Sequence, residues 1–359
     1  MKKDKWYRFI VDEWLFVVSA LGMVSTSAYL RRIPTYDFSD FKTLYTLFVL
    51  FVITNGLYKH HVLAEIASKI DNGRFLPVKL LLITFFFSMI VTNDVAVLAI
   101  VPLTLTLHIP FKEWVVILEV LAANAGSAFS PFGNPQNIFL YWHYGIPFGQ
   151  FLKVIMPFSL SFLVVLLLIA LIISRYTNSS HPLPQKAVKF TPLAYFYLVS
   201  LGVFILVMAQ ILPLWLGVVI LSGVFIVERG KVSADYLLLA TFALFFGFTD
   251  NLKVILSAVL AHPHHVFLLS SLLSQMISNV PTALLVADFT ERWEALLWGV
   301  SVGGFGNLIG SLASLIAYRL YQKSEDSAGR NLLGKFHAVS YGAFFMGWLI
   351  YFIFHKITG

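Results

Sequence analysis

Four short stretches place amide, hydroxyl and carboxyl side chains inside runs that are otherwise apolar: Thr92-Asn93-Asp94, Ser127 to Asn137, Ser278 to Thr282, and Gly303 to Ser311. The second reads Ser-Ala-Phe-Ser-Pro-Phe-Gly-Asn-Pro-Gln-Asn, and its two prolines and glycine interrupt what would otherwise be one long helix. In hydrocarbon each open backbone amide costs several kcal/mol, so such a break persists only against protein or a water-filled cavity. Side-chain oxygens at Asn93, Ser130, Asn134, Asn279, Asn307 and Ser311, with unwound carbonyls, suit a hard monovalent cation such as Na+. Helix N-termini at the same places suit an anion.

The candidate binding set is Thr92, Asn93, Asp94, Ser127, Ser130, Gly133, Asn134 and Asn137 in the first half of the chain. In the second half it is Ser278, Asn279, Thr282, Gly306, Asn307, Gly310 and Ser311. Asn93, Asp94, Ser130 and Asn134 form a candidate Na+ set. These polar groups equally suit the capping of broken helices, with Asn134 as N-cap and Pro135 in the first turn of the helix that follows, and both uses can coexist. Asp94 carries the strongest functional signal, because an ionisable group at bilayer depth is costly and marks an ion or proton pathway by default. Val280 stands at the matching position of the second tip, so the two halves are not chemically equivalent. Glu119, ahead of the first break, is a second candidate proton carrier, with an interfacial position as the alternative. His262, His264 and His265 lack a nearby acidic ligand set and read as a solvated face.

The elements that carry these residues are set by composition. Of 359 residues 58% are hydrophobic and 12% charged, and mean hydropathy is +0.82. Soluble domains are nearer half apolar and a quarter charged. Recurrent apolar runs near 20 residues argue for membrane helices rather than a barrel. The net charge of +7 follows the loops rather than forming a stripe, which argues against a nucleic-acid partner. With no cysteine, disulfides, thiolate metal sites and cysteine nucleophiles are excluded. No His-Glu-x-x-His or Walker pattern occurs, so an enzyme reading finds little support, and no bound cofactor is expected beyond a coupling ion, Na+ or H+.

The resulting expectation is an all-α polytopic membrane protein with about nine full spans. Spans are expected over 9–30, 41–58, 150–174, 191–210, 213–227, 234–248 and 336–354, with interrupted spans over 114–144 and 293–321. A helix on the membrane surface is expected over 59–74, and an interfacial segment over 250–265. Segments 75–108 and 266–289 are each broken at a polar tip. Their return arms, Val95–His108 and Pro281–Phe289, reach about 21 Å and about 14 Å at 1.5 Å per residue. The hydrocarbon layer is about 30 Å thick, so both segments are expected to be re-entrant hairpins. With the N-terminus inside, 18 of the 25 lysines and arginines lie on the cytoplasmic side, as the positive-inside rule requires.

The parts recur in the same order in two halves, 1–174 and 211–359, joined by a linker and connecting span over 175–210. Gly126 aligns with Gly303, Ser130 with Asn307, Gly133 with Gly310, Asn134 with Ser311, and Thr92-Asn93 with Ser278-Asn279. One connecting span turns the second unit upside down relative to the first. Inverted repeats with paired discontinuous helices are the signature of secondary transporters.

At these tips and breaks the chain resembles the ion transporter superfamily, which includes divalent-anion/sodium symporters, citrate transporters, arsenite-pump membrane subunits and some sodium/proton antiporters. The Asn93-Asp94 and Asn279-Val280-Pro281 tips look most like the arsenite-pump and antiporter branch. The resemblance implies a homodimer in the cytoplasmic membrane of a prokaryote, working by elevator-like alternating access. It implies transport of a small anion or oxyanion coupled to sodium or protons, with sodium/proton exchange or arsenite efflux as alternatives. The expected partners are a small ion and the lipid bilayer.

Overall fold

At the four polar stretches that interrupt apolar runs, near Thr92, Ser130, Ser278 and Gly304, the helix stops and restarts. The computed structural model describes residues 13–62, 75–107, 109–176, 191–256, 262–324 and 331–357. Within them lie fifteen α-helices and one short 3-10 turn. They are α1 (Trp14–Leu30), α2 (Phe38–Lys59), α3 (Leu76–Ser88), α4 (Asn93–Thr106), α5 (Lys112–Phe129), α6 (Pro135–His143), α7 (Phe148–Tyr176) and α8 (Pro192–Met208). There follow α9 (Leu216–Val227), α10 (Tyr236–Leu256), α11 (Pro263–Ile277), α12 (Asn279–Ala287), α13 (Trp293–Gly303), η1 (Leu308–Gly310), α14 (Leu312–Gln322) and α15 (Leu332–Ile357). No strand occurs among the described residues. Most of the expected surface helix over 59–74, most of the linker over 175–190 and the basic residues before position 13 lie outside them.

Four helices, α2, α7, α10 and α15, are long and apolar enough to cross a membrane. The others are shorter, and eight of them form four pairs flanking the breaks. α3 and α4 pack on each other across the break at Met89–Thr92, and α11 and α12 do so across Ser278. α5 and α6 flank the Ser130–Asn134 break, and α13 and α14 flank a break that includes η1.

The contacts follow one pattern twice. α3 packs on α5 and α11 on α13; α4 packs on α5 and α12 on α13. The second half of each broken helix crosses to the other unit, so α14 lies on α4 and α6 lies on α12. α1 and α10 run side by side, and α2 packs on α6, α8, α9 and α10.

α10 runs to Leu256, well past the end expected at Phe248. The polar residues there are paired with α1 and with the segment just beyond its end. Asn251 donates to Thr26 and Ser27, and Asp250 accepts from Arg32 and from Thr35. A helix can carry polar residues onward when its neighbour satisfies them.

The aromatic core sits behind the second break. Phe305, fully buried, lies 4.6 Å from Phe162 and 5.9 Å from Phe158 between ring centroids, and Phe158 stacks edge-on to Trp298. Phe267 stacks on Tyr351 at 3.7 Å. Lipid tails are as apolar as these rings, so close contact rather than water exclusion holds such helices together.

Candidate functional site

Each tip is held in an unusual backbone conformation. Thr92 has φ 110° and ψ 150°, and Ser278 has φ 75° and ψ 158°. Left-handed φ with extended ψ is nearly confined to glycine and costs of order 1–3 kcal/mol elsewhere. Both tips therefore carry strain, at positions that match between the two halves.

Each tip docks on its own break at a matching carbonyl. The Asn93 backbone N–H donates to Gly133 O at 3.2 Å, and the Ser278 hydroxyl reaches Gly310 O at 3.5 Å. Ser130 Oγ donates to Met89 O at 2.6 Å. Glycine is required at Gly133, because an added Cβ would fall 2.1 Å from Ser127 O. At Gly306, φ +95° and Gln275 Oε1 at 2.1 Å from such a Cβ leave no alternative.

The open carbonyls of the breaks are satisfied by amides. Asn137 Nδ2 donates to the carbonyls of Ser127, Ala128 and Ser130 at 3.3, 3.1 and 2.9 Å. Asn134 caps α6, its Oδ1 accepting from Asn137 N at 2.9 Å, with Pro135 in the first turn as the sequence predicts. Asn134 Nδ2 also donates to Ser127 Oγ at 3.3 Å. In the second break Gln275 on α11 does this work. Its Nε2 donates to Gly303 O at 2.9 Å and Phe305 O at 2.8 Å, and its Oε1 accepts from Asn307 N at 3.0 Å. Asn307 caps η1 through Gly310 N at 2.9 Å, the role Asn134 plays for α6, although the alignment of the halves pairs Asn134 with Ser311.

The halves meet at Asn124, inside α5. Its Oδ1 accepts from Asn93 Nδ2 at 3.0 Å and from Ser311 Oγ at 2.8 Å. Its Nδ2 donates to Gly304 O at 3.3 Å and Ser314 Oγ at 3.5 Å. Two donors and two lone pairs are all that an amide offers, so Asn124 is saturated. Asn93 Nδ2 also reaches Ser311 Oγ at 3.4 Å. Asn279 closes the cluster from the second tip, its Nδ2 lying 3.2 Å from where a Cβ on Gly304 would stand.

A cavity of about 330 Å³ opens above this cluster. Asn93, Asp94, Ser278, Asn279 and Ser311 of the candidate set line it, together with Gln136. The first turns of α1 and α10 also line it. Its charged lining is Glu13, Asp94, Asp235 and Arg319. Asp235 also caps α10, accepting from Leu238 N at 2.9 Å.

The remaining candidates stand behind the cavity wall. Ser127, Ser130, Gly133, Asn134, Asn137, Gly306, Asn307 and Gly310 build the breaks rather than line the cavity. Thr282 bonds back to Ser278 O at 2.8 Å, and Thr92 Oγ1 is buried with no partner among the described residues. Of the candidate Na+ set, Asn93 and Asp94 face the cavity, whereas Ser130 and Asn134 are spent on backbone. Glu119 on α5 is fully buried, bonded to Thr104 of α4, and is not part of the cavity wall. Among the described residues no group of three or more His, Asp or Glu is placed to hold a metal. Sequence reasoning missed Asn124 and Gln275 as organisers of the site. The available signal was a lone amide among alanines for Asn124 and a long amide among serines for Gln275.

Broken helices meeting at a polar cavity, in an all-helical membrane protein, define the class of membrane transporters. The chain belongs to the citrate transporter family of the ion transporter superfamily: the family's sequence model, described as "Citrate transporter", matches residues 9–303. It is 33% identical to the uncharacterized transporter MJ0456 of Methanocaldococcus jannaschii, over 82% of this chain and 84% of that one. It is 31% identical to the inner membrane protein YbiR of Escherichia coli K12, over 77% of this chain and 76% of the relative. A shorter stretch, 30% of this chain and 22% of the relative, is 30% identical to the silicon efflux transporter LSI3 of Oryza sativa subsp. japonica.

Proposed function

We propose that this protein is a secondary active transporter that carries a small anion or oxyanion through the Asn93–Asn279 cavity, coupled to sodium or protons. The observation that carries the reading is the junction of Asn93, Asn124, Asn279 and Ser311, where both tips and both broken helices touch a single polar cluster. A solute bound there contacts both halves, so any movement of one half against the other changes its access. The repeated contact pattern supports two inverted units over 1–174 and 211–359, with 75–108 and 266–289 as re-entrant hairpins within about nine spans. The cavity is lined by the starting ends of α1 and α10, which supports access from that side of the membrane. With the N-terminus in the cytoplasm, this is the inward-open arrangement of a homodimer in a cytoplasmic membrane.

A second reading, sodium/proton exchange without an anion, is favoured by Asp94 and Asp235, which give the cavity a carboxylate-rich lining against one Arg319. The silicon efflux relative adds a small hydroxylated solute to the candidates, beside arsenite. Purified protein in proteoliposomes, given citrate, arsenite, silicic acid and Na+ in turn under imposed proton or sodium gradients, separates these readings. Accumulation of one solute driven by a gradient supports secondary transport. Flux of a solute that ignores both gradients points to a channel and overturns it.

A further inference from the structure

Outside the cavity, one buried carboxyl has no use in the scheme above. Glu119 sits in the middle of α5, fully buried, and its Oε1 is bonded to Thr104 Oγ1, itself fully buried on α4. Its Oε2 is buried with no hydrogen-bond partner among the described residues. A serine or threonine hydroxyl could join the two helices through a single oxygen without leaving a second one unpaired. An unsatisfied buried oxygen is a standing cost, and in a native structure it asks for a reason.

The surroundings are free of counter-charge. The charged side chains on helices packed against α5 are Lys79 on α3, Asp94 on α4, Lys153 and Arg175 on α7, Glu294 on α13, Arg319 on α14 and Lys335 on α15, with His337 and His355 also on α15. None of them is hydrogen-bonded to Glu119 among the described residues, where its partner is the Thr104 hydroxyl. The nearest ion pair on α5 is Glu113 with Lys335, at 2.8 Å, more than a turn away.

α4 links this carboxyl to the cavity. Asn93 and Thr104 are eleven residues apart, which at 100° per residue returns to the same helix face about 16 Å further along the axis. At its first residue α4 holds Asn93 against Asn124, and near its last it holds Thr104 against Glu119. Pro102 lies between, inside the helix, where it removes the backbone bond to residue 98 and makes α4 a natural bending point. A helix fastened at both ends to α5, with a weak point between, passes a change at one fastening to the other.

We propose that Glu119 is the proton-coupling residue: it takes up one proton on its free oxygen and releases it to water on the opposite side, switching the Thr104 contact as it does so. Ionised, it accepts a strong charge-assisted bond from Thr104; protonated, it does not need one, and α4 is free to shift with the Asn93–Asp94 tip. The proton is neither consumed nor passed to the solute. This rests on the transport reading for its flux arm only.

Two measurements test it. The first needs no solute. Infrared difference spectra of reconstituted protein, recorded from alkaline to acid pH, separate protonated from ionised carboxyls. A band that grows with acid, persists in Asp94→Asn and vanishes in Glu119→Gln is expected, and Thr104→Val moves its midpoint. A Glu119 band that stays constant over the whole range overturns the proposal. The second uses whichever of citrate, arsenite, silicic acid or Na+ the wild type moves. Glu119→Gln is expected to keep exchange of that solute at equal pH while losing all response to a proton gradient. Retained gradient response, or loss of both activities together in folded protein, overturns it. Should Glu119→Gln fail to accumulate in membranes, Glu119→Asp takes its place, and the titrating band must change frequency. If wild type moves no probe, the transport reading fails, and the infrared band still decides this one.

Discussion

Asn93 Nδ2 and Ser311 Oγ lie 3.4 Å apart although 218 positions separate them in the chain. The first sits at the tip of α4, the second at the start of α14, and both bond to Asn124. A tip from one half thus shares an acceptor with a break from the other. That contact makes one cavity out of two separate interruptions, and its removal has a defined cost.

Asn124→Leu is the direct test. It leaves the Asn93 amide only its longer contact with Ser311 Oγ, and it strands the Ser311 hydroxyl as a donor and the Gly304 carbonyl as an acceptor. A buried polar group left without its partner costs roughly 1–3 kcal/mol. Thermal unfolding in detergent should show a clear drop in Tm, and flux should fall with it. An unchanged Tm would mean the cluster is already hydrated and the saturation argument is wrong.

Asp94→Asn should abolish gradient-driven transport while leaving folded protein in the membrane. Asp94 lines the cavity, and asparagine keeps its size while removing its charge. Wild-type accumulation in this variant would retire Asp94 as an ion or proton site.

Thr92 offers a test of stored strain. Its φ of 110° suits glycine, it is β-branched, and its hydroxyl has no partner among the described residues. Thr92→Gly should therefore raise stability, or hold it constant, by releasing about 1–3 kcal/mol of backbone strain against the lost side-chain contacts. If the strain positions Asn93 and Asp94, the same variant should transport less well. A gain in Tm with full flux would show that the strain serves no purpose in transport.

The breaks were the most legible part of the site. Pro131, Gly133, Asn134 and Pro135 cannot all sit within a continuous helix, and Asn134 does cap α6. The hub was not legible. Asn124 lies in Ala122-Ala123-Asn124-Ala125, where a single amide carries no periodic signal, and its partners come from both halves of the chain. Gln275 was hidden in the same way, because the break it supports belongs to another element, 28 and 30 residues downstream. Local rules find where a backbone opens. They do not find the side chain that closes it from across the fold. The extent of α10 failed for a related reason, since Asp250 and Asn251 look solvent-seeking until α1 is beside them.

Gly133→Ala and Gly202→Ala should move in opposite directions. An added methyl at Gly133 meets Ser127 O at 2.1 Å, and both atoms belong to backbone that cannot turn aside. Overpacking of this kind costs typically about 1–3 kcal/mol and would displace the break. Gly202 lies inside α8 with nothing within 4 Å of an added Cβ, so alanine there should stabilise by roughly 0.5–1 kcal/mol. Paired melting curves decide it, and equal effects at the two sites would count against the tight contact.

Acid should unpick the contact that ties the ends of α2 and α9. Glu228, just beyond α9, receives Lys59, His60 at 2.9 Å and the Tyr197 hydroxyl at 3.2 Å. Burial alone would raise its carboxyl, but the bonds from His60, Lys59 and Tyr197 outweigh it and hold the group down at about 2. A carboxyl depressed on folding binds its proton more weakly than in the unfolded chain. Its stabilising effect is therefore complete above the ordinary glutamate value of 4.5 and fades as pH falls from there towards 2. Glu228→Gln should melt below wild type at neutral pH, and the difference should shrink on acidification through that window. A gap that stayed constant down to the acid end would show that Glu228 acts through shape rather than charge.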